Sequence, residues 1–117
     1  MKNLIATIVA LVIILSSNGY IYAFRTVITH TAVSVLHTAS TATVAANNAR
    51  NYLMLQNDHA TQKVWCSVGG TAVLNTGFRI NAAGGTVTFD TAVPVAAITC
   101  LAETGTTIIL VTEGRGN

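Results

Sequence analysis

Two cysteines, three histidines and four carboxylates are the residues of this chain with chemistry to offer. Cys66 and Cys100 form the sole available pair. Both lie in phase with alternating apolar neighbours, Val64 and Val68 for one and Ile98 for the other. Both therefore face the interior, and their parity permits a bridge that either crosses the core or joins neighbouring strands. Two buried free thiols are the competing reading, because cysteine packs well as a small apolar residue. An exported chain would meet an oxidising compartment, and that favours the disulfide.

A paired or buried cysteine is not a reactive thiolate, so Cys–His nucleophilic catalysis drops out. His30 and His37 stand seven apart in a strand-like segment, which puts them on opposite faces, and His59 follows Asp58 in a turn. All three read as surface histidines. Two distant cysteines and scattered histidines match no zinc-ligand spacing. Asp58, Asp90, Glu103 and Glu113 each fall at a turn or in the tail, where solvated acids sit, and offer no pair for acid–base hydrolysis. Gly69-Gly70 and Gly84-Gly85 lack the Gly-Lys of a Walker loop and the three spaced glycines of a dinucleotide fingerprint. The expectation is a chain with no catalytic, cofactor-binding or metal site, and not an enzyme.

The elements that hold these residues divide sharply. No charge occurs between Lys2 and Arg25, and Leu4 to Leu15 is an apolar run with the length of a secretory-signal core. Ser17-Asn18-Gly19 suits a signal peptidase cutting before Tyr20. Yet Asn3 to Phe24 also approaches the ~20 residues that span a bilayer, with Tyr20 and Tyr22 as interfacial anchors. Residues 1–23 are accordingly a hydrophobic helix, read as a signal peptide or a membrane anchor, and 24–117 a single domain. Some ninety residues suffice for one small core and not two.

That domain reads as all-β. From Arg25 to Ala46, valines interleave with threonines, and branched β-carbons suit a pleated sheet. Asn47-Asn48-Ala49 turns the chain. In Arg50 to Gln56, Leu53 and Leu55 share one face, with Met54 and Gln56 on the other. Further strands follow at Lys63 to Val68, Phe78 to Ile80, Thr86 to Phe89, Ile98 to Ala102 and Thr106 to Thr112, before a polar tail from Glu113 to Asn117. Gly69-Gly70-Thr71, Asn81 to Gly85, the lone Pro94 and Glu103-Thr104-Gly105 punctuate them. Seven to nine short strands at regular spacing make an antiparallel β-sandwich or jelly-roll-like domain.

The formal net charge is +2, and Arg50, Lys63, Arg79 and Arg115 are dispersed, so nothing here forms an electrostatic footprint for nucleic acid. A surface covered by Thr, Ser, Asn and Ala suits a packed assembly better than a highly soluble monomer. Trp65 alternates with Val64 and Cys66 and so points away from the core. It is either an interface anchor or packed on neighbouring strands.

Ala45 to Asp58, Val64 to Thr71, Gly77 to Gly85, Phe89, Val93-Pro94, Ala97-Ile98 and Val111 to Gly114 form an ordered series of short motifs. This series resembles small β-sandwich virion proteins of tailed and related bacteriophages, and covers most of Ala45 to Gly114. The resemblance implies a non-enzymatic decoration, fibre or spike component, homo-oligomeric or docked on other virion or envelope proteins. The leader departs from the pattern of cytoplasmically assembled capsid proteins, and a membrane-containing phage or a host envelope protein accommodates both parts. The expected location is therefore the virion or an exported, membrane-associated position. The alternative is a secreted or cell-surface adhesion module that binds through the turns at Asn57 to Gln62 and Asn75 to Gly77.

Overall fold

The structure, a computed structural model, describes residues Thr26–Gly116. The leader, its reading as signal or anchor, and the boundary at residue 23 lie outside the described residues. Among the described residues no helix is long and apolar enough to cross a membrane.

Eight strands form: β1 (Thr26–Val35), β2 (Thr41–Val44), β3 (Arg50–Asn57), β4 (Val64–Val68), β5 (Phe78–Ile80), β6 (Thr86–Phe89), β7 (Ile98–Ala102) and β8 (Thr107–Gly116). They make two four-stranded antiparallel sheets, ordered β1-β8-β3-β6 and β2-β7-β4-β5. The pairing is nested, with β1 on β8, β2 on β7, β3 on β6 and β4 on β5. That nesting is the jelly roll, in which a long antiparallel ribbon wraps so that its successive segments alternate between two sheets. The all-β sandwich expected from the strand pattern is the observed fold.

The core follows from the period-two alternation. Leu53, Leu55, Ile109 and Val111 face inward from the first sheet; Val64, Cys66, Ile80, Ile98, Cys100 and Ala102 face them from the second. Phe78 and Phe89 meet edge to face at 5.7 Å between ring centroids, closing the side formed by the short strands β5 and β6.

Three features differ from the sequence reading. The Thr/Val segment from Arg25 to Ala46 is two strands, because the chain changes sheets at Leu36: its N–H donates to Thr41 Oγ1 and its carbonyl accepts from Ala102 N–H. Val68, in phase with Cys66, is 44% exposed because it lies at the margin of its sheet, paired only with Ile98. The tail is no tail: β8 continues through Glu113 to Gly116, flanked by β1 on one side and β3 on the other.

Strand β3 carries a buried polar residue at each end. At its start, the Arg50 side chain is wholly buried, and its Nε donates to Glu113 Oε2 at 3.0 Å. Its terminal nitrogens donate to the carbonyls of Pro94, Ala96 and Ala45. The second Glu113 oxygen accepts from Asn47 Nδ2 at 2.6 Å, and Asn47 N–H donates to Val95 O. The β2–β3 and β6–β7 connections are thereby fastened to the first sheet. At the far end, Asn57 Nδ2 donates to Gln62 O and Ile80 O, and its Oδ1 accepts from His59 N–H. Among the described residues, no buried side-chain nitrogen or oxygen lacks a partner.

Removing one member of a buried, hydrogen-bonded ion pair leaves the other charge desolvated, which costs about 3–5 kcal/mol, whereas replacing both by apolar groups costs far less. Arg50→Met is therefore expected to lower the urea unfolding free energy by about 3–5 kcal/mol. The double variant Arg50→Met/Glu113→Leu removes the stranded charge and should recover part of that loss, the remainder reflecting the carbonyls of Ala45, Pro94 and Ala96 and the Asn47 amide left without their partner. Equal losses in the two variants would show that the carbonyl contacts, and not the ion pair, carry the stability.

Candidate functional site

Cys66 and Cys100 are directly opposed on β4 and β7, the two central strands of the second sheet. Their sulfurs are bonded at 2.03 Å, with the Cα atoms 4.1 Å apart, and both residues are fully buried. The bridge joins neighbouring strands of one sheet rather than spanning the core between sheets. Behind it, Gly77 adopts φ +79°, and a Cβ there would collide with the Cys66 carbonyl. The β4–β5 connection thus returns against the strand through a position only glycine fills without strain. The same connection lies over the outer face of the sheet, where Thr99 Oγ1 donates to Gly70 O and Ala72 N–H donates to Ser40 Oγ.

Trp65 faces outward from β4, as its parity requires, and is partly buried. In register it lies between Arg79 of β5 and Leu101 of β7, and the Arg79 guanidinium carbon stands 5.7 Å from the ring centroid. The indole, a cation and an aliphatic side chain make one ridge. The arginine covers part of the ring's π-face while leaving its own charge available.

The outer face of the first sheet bears an open groove of about 460 Å³. His30, Thr112 and Met54 cross it as one row of the ladder and Ala32, Leu110 and Gln56 as the next. His30 Nδ1 lies 3.0 Å from Thr112 Oγ1, so the imidazole's partner is a hydroxyl rather than an orienting carboxylate. Among the described residues, no group of three or more His, Cys, Asp or Glu side chains is placed to hold a metal ion.

The histidines are dispersed as expected, but they are not equivalent. His30 sits on β1, His37 lies in the crossing between sheets, and His59 is a structural acceptor: its Nδ1 receives the N–H groups of both Thr61 and Gln62. Of the carboxylates, Glu113 departs from the solvated-acid reading through its bond to Arg50. A signal for it was present, since Glu113 is in phase with buried Ile109 and Val111. Arg50 had no such signal. Its parity matches the outward Met54 and Gln56, and a register shift between Arg50 and Tyr52 turns its side chain inward.

No protein-family model matches this chain, and no curated protein matches it. Among solved structures, it is similar to a chain from work describing Bacillus endospore appendages as a novel family of disulfide-linked pili. The two are 18% identical, the match covers 79% of this chain and 90% of the other, and the TM-score is 0.41.

The buried bridge closes a loop across 34 residues of sequence. In the chain-entropy account, such a closure stabilises the fold by about 3–4 kcal/mol. Reduction, or the double variant Cys66→Ala/Cys100→Ala, should lower the unfolding free energy by about that amount. Thiol titration of the native, unreduced protein should find no free thiol, and finding two would remove the bridge from the folded state.

Proposed function

We propose that this chain is a non-enzymatic structural subunit that packs into an assembly outside the cytoplasm. The observation that carries this reading is the apolar and nearly uncharged outer surface. Only 9% of residues are charged. Ile28 and Ile108 are 48% and 40% exposed on the first sheet, and the Trp65–Leu101 ridge marks the second. Val68 and Val95 stand out near the end where Arg50 is buried, with Val73 and Leu74 in the β4–β5 connection. Apolar area distributed over several faces suits a subunit with several neighbours better than a receptor with one ligand. The buried disulfide supports an oxidising destination.

The motif series from Ala45 to Gly114 favours the surface of a bacteriophage virion, decoration or spike, as the assembly. The turn from Asn57 to Gln62, which the adhesion reading needs as a ligand surface, spends the N–H groups of His59, Thr61 and Gln62 and the Gln62 carbonyl on the side chains of Asn57 and His59. Mass spectrometry of purified virions and of the envelope of infected cells tests the location. Absence of the chain from both defeats the virion reading.

Self-association is the shared requirement. Sedimentation or light scattering of the full chain should show oligomers whose size is independent of reductant, because the one bridge is internal. Trp65→Ala should weaken association by about 2 kcal/mol, roughly thirtyfold in Kd, if the ridge is a central anchor. The fold should persist, since the ring lies outside the core. An unchanged association constant removes Trp65 from the interface.

A further inference from the structure

The four sheet edges of this jelly roll are not alike. The edges at β2, β5 and β6 are four, three and four residues long. The β2 edge is also broken by a register shift between Ala42 and Val44. The edge at β1 runs for ten residues, Thr26–Val35, with no bulge in its register to β8 and with no proline or charged side chain. Short strands, bulges, prolines and charges are the devices that keep sheet edges from pairing, and β1 has none of them.

The ladder fixes which β1 groups are free. Asp58 N–H donates to Ile108 O and Gly116 N–H donates to Ala49 O, so even-numbered residues of β8 point their main-chain groups at β3. Odd-numbered residues of β8 therefore point at β1, and their partners there are Val27, Thr29, Thr31, Val33 and Val35. The N–H and C=O groups of Thr26, Ile28, His30, Ala32 and Ser34 face the open edge, where no described strand pairs with them. At Leu36, the next residue in that phase, both groups are taken as the chain crosses to the second sheet.

We propose that this edge pairs with the same edge of a second copy, antiparallel across a two-fold axis at His30. The inference rests on the reading of the chain as a self-assembling subunit and names the surface that does it. A second copy is the fitting occupant because the strand is complementary to itself. Pairing across the axis must join residues of the same face and, for the outward main-chain groups, even with even. Centred on His30, Ile28 meets the partner's Ala32, Val27 meets the partner's Val33, and Thr29 meets the partner's Thr31. Apolar side chains meet apolar ones, and hydroxyls meet hydroxyls. The register centred on Thr31 would instead set Ile28 against the partner's Ser34 and Thr29 against the partner's Val33. With no charge on either strand, no repulsion opposes the contact. The two first sheets then become one continuous sheet of eight strands, running from β6 of one copy to β6 of the other. A two-fold contact of this kind closes on itself and leaves the Trp65 ridge free for other neighbours.

Ala32 gives a selective test, because its N–H points to the open edge and not to β8. Ala32→Pro removes two donors from the intermolecular ladder, one from each copy, without removing any bond of the fold. His30→Lys, a milder change, sets two ammonium groups face to face on the axis. Both variants of the full chain should remain folded by circular dichroism and raise the dimer dissociation constant at least about tenfold by sedimentation. His30→Cys should form a covalent dimer in air, whereas Thr31→Cys should not. An oligomer undiminished in both Ala32→Pro and His30→Lys overturns the strand pairing while leaving self-assembly intact. Covalent dimers from Thr31→Cys in place of His30→Cys overturn the register and with it the proposed axis. A wild-type chain that stays monomeric at high concentration overturns self-assembly itself.

Discussion

The burial of one guanidinium organises this domain. Arg50 lies where the connections at one end of the sandwich converge on the first sheet. A buried cation without partners would cost several kcal/mol, so the fold is viable only when Glu113 and the carbonyls of Ala45, Pro94 and Ala96 all converge on it. Those groups come from three separate parts of the chain. The requirement to satisfy one side chain thus selects a single arrangement of β8, the β2–β3 turn and the approach to β7.

The disulfide and the Asn57 cluster complete that constraint from other directions. Cys66–Cys100 clips the central strands of the sheet that Arg50 does not belong to. Asn57 holds the Gln62 and Ile80 backbone at the opposite end of β3. A jelly roll needs such devices, because its outermost pair, β1 on β8, joins residues as far apart as Thr26 and Gly116. Pairing so distant in sequence must repay a large loop-closure entropy, and the apolar core of a domain this size leaves little surplus.

The same frugality with charge shapes the outside. The buried ion pair uses one of the few acids, and the Trp65 ring covers part of Arg79. What remains on the two sheet faces is largely threonine, small residues and isolated aliphatic side chains. Such a surface neither repels a like copy nor selects strongly for a charged partner. The interior is specified by a few polar bonds of high stakes, and the exterior is left permissive.

The alternation of β-branched and polar residues was sufficient to place most of the strands, the inward phase of Leu53, Leu55, Ile98, Cys66 and Cys100, and the outward phase of Trp65. These are local consequences of a two-residue period, and a strand obeys that period whichever sheet it joins. The sequence could not show where the chain changes sheets at Leu36, because Thr and Val alternate in the same way on both sides of the crossing. Nor could parity find Arg50, whose inward turn depends on a bulge that exists only once β3 has β8 beside it. Whether the cysteines bridged neighbours or spanned the core was likewise undecided until β4 and β7 were adjacent. Sequence determined which residues have a buried face; tertiary pairing decided what each face meets, because register and sheet order are set by partners distant in the chain.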